Sequence, residues 1–88
     1  MKQLETNFTG KGQVKGFIFT QIKKSKCAYI YKVHTGYSEH YEVFKHKENM
    51  QFNCVSYPSD KAFGIWAWSC SNLDKALIKF EELNDRGA

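Results

Sequence analysis

Short runs up to Ser69 alternate apolar and polar residues, and after Cys70 the spacing changes to that of a helix. The first regular run, Val14 to Ile22, carries Phe17 and Phe19 at odd positions and Val14, Ile18 and Ile22 at even ones. Lys23-Lys24-Ser25-Lys26 is polar and basic and reads as a turn. A second strand, Cys27 to His34, sets Cys27, Tyr29, Tyr31 and Val33 against Ala28, Ile30, Lys32 and His34. Thr35-Gly36-Tyr37-Ser38 reads as a hairpin turn. A third strand, Glu39 to Lys47, opposes Tyr41 and Val43 to Phe44, and Lys47-Glu48-Asn49 turns again. Met50 to Tyr57 reads as a fourth strand, stopped at Pro58-Ser59-Asp60. Ala62 to Ser69 reads as a fifth, with Gly64 marking a bulge or a close backbone approach.

Beyond Cys70, Leu73, Ala76, Leu77, Phe80 and Leu83 recur at helical spacing. Ser71 is a suitable N-cap, and Asp74 three residues on resembles a capping box with a shorter acid. Asn84 to Ala88 reads as a fraying end. Strands this close in sequence pair as a meander. The expected fold class is therefore α+β: a four- or five-stranded antiparallel meander sheet with one C-terminal α-helix packed on one face. Residues 1–88 form a single domain, since 88 residues leave no room for two cores. Residues 1–12 are a frayed lead-in or a short edge strand around Leu4 to Phe8.

One helix covers one face, yet the strands are apolar on both. In the last strand Phe63, Ile65 and Ala67 lie on one side and Trp66 and Trp68 on the other, and spacing alone leaves open which set meets the helix. The other face is expected to carry Tyr29, Tyr31, Trp66 and Trp68 as a candidate interaction surface. The alternative is that the N-terminal segment folds over that face and completes the core.

Hydrophobic content of 42% and aromatic content of 16% are those of a folded domain rather than a disordered chain. The net charge of +4 is unevenly placed: residues 11–47 hold eight lysines against Glu39 and Glu42, while residues 48–88 are mildly acidic. Lys15, Lys23, Lys24, Lys26, Lys32, Lys45 and Lys47 are candidate contacts to the phosphates of a single-stranded nucleic acid. The alternative is a solvated rim that keeps strand edges apart. The Met1-Lys2-Gln3-Leu4 start shows no apolar h-region, and no apolar run nears the roughly 20 residues of a membrane span, so neither a secretory signal nor a membrane is expected. Cys27, Cys54 and Cys70 are too few for a disulfide framework and read as reduced core residues of a cytoplasmic protein.

Catalytic chemistry is not signalled. His34, His40 and His46 lack the close Cys or His pairing of zinc sites, so no metal or cofactor is expected. Glu39 and Glu42 fall on opposite faces of one strand and make a poor acid–base pair. Gly10-Lys11-Gly12 has neither the length nor the following helix of a phosphate-binding loop. Lys15-Gly16-Phe17-Ile18-Phe19 shares its start with an RNA-recognition-motif signature, but Ile18 stands where that signature needs a small residue. The order of strands and then a helix is similar to single-stranded DNA-binding coactivator folds of ββββα type, an analogy of fold alone.

Tyr41-Glu42-Val43-Phe44-Lys45, Val55-Ser56-Tyr57-Pro58-Ser59 and Phe63-Gly64-Ile65-Trp66-Ala67-Trp68 together resemble small uncharacterised proteins of bacteria and their phages or mobile elements, over residues 37–83. The resemblance implies an accessory role, such as a compact protein that modulates a host complex. The expected function is a small non-catalytic binding module for a protein partner or for self-association as a homodimer. It would act through the aromatic sheet face or an edge strand. Single-stranded nucleic-acid binding is the alternative.

Overall fold

The computed structural model describes residues 1–87, with side chains described to Asp85. The expected fraying end thus lies inside the helix as far as Gly87, and Ala88 lies outside the described residues. Five strands form one antiparallel sheet in the order β1-β2-β3-β4-β7: β1 Asn7–Thr9, β2 Ile18–Lys24, β3 Ala28–His34, β4 Glu39–Lys45 and β7 Ala67–Cys70. β5 Glu48–Asn49 and β6 Cys54–Val55 form a separate two-stranded ribbon. Helix α1, Leu73–Gly87, packs on one face of the sheet, so the α+β class expected from the chain is the class observed.

Helix and sheet meet through Ala28, Ile30 and Val43 on the strands and Ala76, Phe80 and Leu83 on α1, all buried. These helix positions are three and four apart, which gathers them in one stripe. Burying each large member removes apolar surface worth about 1.5–3 kcal/mol. The helix begins one residue later than Ser71 suggests. Asn72 is the cap: its Oδ1 accepts the Lys75 N–H at 2.9 Å, and its carbonyl accepts the Ala76 N–H at 3.2 Å. Asp74 therefore lies within the first turn, where a carboxylate still favours the positive end of the helix.

The opposite face is not open. Phe19, Tyr29, Tyr31, Val33, Phe44 and Ala67 on the sheet are buried beneath Leu4 and Phe8 of the N-terminal segment, Phe17 of the β1–β2 loop, and Val55, Tyr57, Ala62, Phe63 and Trp66 of the excursion between β4 and β7. The expected fourth strand, Met50 to Tyr57, is replaced by this excursion. Asn49 Oδ1 accepts the N–H groups of Gln51 and Phe52 at 3.0 and 3.2 Å, and Asn53 takes a φ of 50°, so the chain turns at 50–53. Met50 and Phe52 are exposed at that turn.

The N-terminal segment is ordered as part of this cover. Lys2 N–H donates to Asn53 O at 3.0 Å, and Val55 N–H donates to Lys2 O at 2.9 Å. The fifth strand starts at Ala67 rather than Ala62. Gly64 takes a φ of 88° in a turn over 64–66, and its N–H donates to Ala67 O at 2.8 Å. It is a turn glycine rather than a bulge. Trp66 therefore belongs to the turn and packs with the far-face cluster, while Trp68 packs on the helix side.

Candidate functional site

Residues 10–17 join β1 to β2 in a tight loop. Gly10 N–H donates to Phe17 O at 2.8 Å, and Phe17 N–H donates to Val14 O at 3.0 Å. The loop folds back so closely on Gly10 that a Cβ there would collide with the Val14 carbonyl and lie 2.8 Å from Val14 Cγ2. Across from it, Tyr57 and Pro58 lead into a 3-10 turn over Asp60–Ala62. Between these segments lies a cleft of about 540 Å³. That is the size of a typical small-ligand or side-chain site.

Aromatic rings make the walls: Phe8, Phe17, Phe19, Tyr57 and Phe63. Phe8 and Phe19 stack at 4.7 Å between centroids, and Tyr57 meets them edge-on at 5.5 and 5.3 Å. Such offset and edge-on pairs fix ring orientation beyond simple area burial.

One carboxylate reaches this apolar setting from the sheet. Glu42 sits on β4 on the face away from the helix, and its side chain is only 15% exposed. The Tyr57 hydroxyl donates to Glu42 Oε1 at 2.7 Å, and His40 Nε2 lies 3.0 Å from Oε2. Burial, and then the charge of Glu42, push the Tyr57 phenol far above its ordinary range, so it is a permanent donor. Glu5 and Asp60 add two further carboxylates to the lining, against one cation, Lys11. The arrangement suits recognition of a positive or hydrogen-bond-donating group beside an apolar stem.

Of the residues expected to form an interaction face, Tyr29, Tyr31 and Trp66 share the far side of the sheet, Trp68 lies on the other, and the two tyrosines are covered. Tyr29 and Tyr31 are 1% and 0% exposed. Tyr31 donates from its hydroxyl to Glu5 O at 2.6 Å and accepts from Gln21 Nε2 at 2.9 Å, while the Tyr29 hydroxyl lies 3.1 Å from His46 Nδ1. Burial raises both phenols. Trp66 lies under the Lys47 ammonium, 5.4 Å from its ring centroid, and Trp68 lies on the opposite side of the sheet under Lys79 at 4.0 Å. The expected open aromatic face is corrected by these contacts. The apolar excursion over 46–66 supplies the cover that the helix cannot.

The lysines are likewise dispersed. Lys24 and Lys26 share a hollow with Gln3, Tyr29 and His46, and Lys45 stands at the same end of the sheet, in register with Ala28. Lys23 is over the Phe80 ring on the helix side and 3.9 Å from Glu81. Lys32 pairs with Glu39 at 2.6 Å, and Lys15 lies on the β1–β2 loop. A base-stacking platform built on Tyr29 and Tyr31 has no accessible ring.

His40 and His46 each contact a glutamate, Glu42 and Glu48, and His34 Nδ1 accepts the Gly36 N–H at 3.2 Å. Among the described residues no group of three His, Cys, Asp or Glu converges as a metal site, and no helix is long and apolar enough to cross a membrane. The three cysteines are free and half-buried, and burial raises the Cys70 thiol.

Sequence reading missed Glu5, Phe8, Glu42, Tyr57, Asp60 and Phe63 as a group. One signal was available: Glu42 shares parity with the core residue Phe44, which places a carboxylate on an apolar face. No protein-family model matches the chain, and no curated protein or solved structure matches it at a significant level.

Proposed function

We propose that this protein is a non-catalytic binding module for a protein partner. It holds an extended segment of that partner along the outer edge of β1 and seats one partner side chain in the aromatic cleft. The observation that carries the reading is the coincidence of the cleft with an unpaired strand edge. Among the described residues β1 pairs only with β2, and Phe8 and Thr9 of β1 line the cleft. Gln21 N–H donates to Thr6 O and Gly10 N–H to Phe17 O, so the even positions of β1 bond to β2. Asn7 and Thr9 then turn their backbone groups outward, as antiparallel pairing alternates. Strand addition supplies affinity through the main chain, and a pocket for an alternate side chain supplies selectivity.

Thr9→Pro tests this. Proline is tolerated on an edge strand whose N–H faces solvent, so the fold should persist while one outward donor is lost. A short acetylated valine–threonine peptide with a central norleucine is the probe. Amide shifts at Asn7 and Thr9 and ring shifts at Phe8, Phe17 and Phe63 are expected in the wild type; in Thr9→Pro, which has no amide proton at position 9, the Asn7 and ring shifts should be lost. A peptide that moves none of these resonances in the wild type overturns the reading.

A further inference from the structure

We infer that the cleft selects a cationic side chain, arginine or lysine, with Glu42 as its counter-charge; this rests on the cleft being the binding site. The cleft carries charge opposite to the molecule. Its lining holds Glu5, Glu42 and Asp60 against Lys11, in a chain whose net charge is +4. The net charge of the molecule disfavours a basic segment, and the local charge of this cleft favours one.

Glu42 has the right chemistry for the role. Each carboxylate oxygen accepts one hydrogen bond, from the Tyr57 hydroxyl at Oε1 and from His40 Nε2–H at Oε2, which leaves lone pairs on both. The ring walls lower the local dielectric, and a charge pair inside such a site is stronger than in water. Most of the cost of removing Glu42 from water is met in folding, so at this carboxylate binding desolvates chiefly the incoming cation. Phe8, Phe17 and Phe63 supply ring surface for the methylene stem and for a guanidinium plane. Tyr57 cannot compete as a base, because its phenol keeps its proton.

The test uses three acetylated, amidated valine–threonine peptides that differ only at the central residue: arginine, norleucine or glutamate. Calorimetry or resonance titration should place the arginine peptide about tenfold or more tighter than norleucine, the scale of a charge-assisted hydrogen bond, and should find glutamate weakest. Glu42→Gln keeps the size of the side chain and one oxygen to accept from Tyr57, and exchanges the charge and the second acceptor for an amide donor. It should erase the preference for arginine over norleucine, read as the ratio of the two affinities within the variant. Equal affinity for arginine and norleucine, with no effect of Glu42→Gln, overturns the inference and leaves the cleft a binding site. No response to any of the peptides at Phe8, Phe17 or Phe63 overturns both readings. Binding of benzylammonium at those rings without binding of the arginine peptide overturns the protein-segment source in favour of a free amine.

Discussion

The Tyr57 hydroxyl donates to Glu42 Oε1 at 2.7 Å and ties the excursion over 46–66 to the inner strand β4. It does two jobs. It satisfies a largely buried carboxylate, and it pins the segment that forms one wall of the cleft. Tyr57→Phe keeps the ring contacts with Phe8, Phe19 and Phe44 and removes only the donor. The expected cost is about 1.5–3 kcal/mol, the range for a hydrogen bond to a charged group. A lowered urea midpoint at unchanged slope checks it.

Stability should also fall in alkali. Tyr29, Tyr31 and Tyr57 all have phenols raised above the ordinary value of 10.0, chiefly by burial. Above that value the unfolded chain loses phenolic protons that the folded chain keeps. The stabilisation is therefore fully present below about pH 10 and declines as pH rises beyond it. Urea unfolding at about pH 9 and about pH 11 reads the decline, and Tyr57→Phe should make it shallower.

Capping discriminates between two adjacent residues. Asn72→Ala removes the oxygen that accepts the Lys75 N–H and should cost about 1 kcal/mol. Ser71→Ala should change the thermal midpoint little, because Ser71 lies outside the cap. The reverse order of effects would place the helix start one residue earlier.

Gly10 has no room for a side chain. Gly10→Ala drives a methyl into the Val14 carbonyl, so the β1–β2 loop must shift, at a cost of about 1–3 kcal/mol. The loop forms a wall of the cleft, so ring resonances of Phe8 and Phe17 should move together in the variant. Gly12→Ala is the control. It meets no atom within 4 Å but has a φ of 65°, so its cost is local backbone strain without displacement of Gly10.

Much of the architecture was legible along the chain. The spacing of Leu73, Ala76, Phe80 and Leu83 marks one helix, and alternation in Ala28–His34 and Glu39–Lys45 marks the two central strands. Those signals are local, because helix and strand periods follow from backbone geometry over a few residues. Errors came where turn chemistry competes with alternation. Met50 and Phe52 keep strand parity, yet the Asn49 side chain and the left-handed Asn53 turn the backbone between them. Trp66 and Trp68 share parity in a continuous strand, and the turn at Gly64 separates them to opposite sides of the sheet.

By itself, then, the sequence determined the α+β class, the central hairpin and the amphipathic helix, since each follows from residues close along the chain. It also showed that a second apolar face needed cover. Only the tertiary structure decided that the cover is the chain's own N-terminal segment and the excursion over 46–66. The cleft was decided there too, because its walls and floor come from Glu5 and Phe8, Phe17, Glu42, and Tyr57 to Phe63. These segments meet only when the sheet has formed, and contacts between segments distant in sequence leave no period to read.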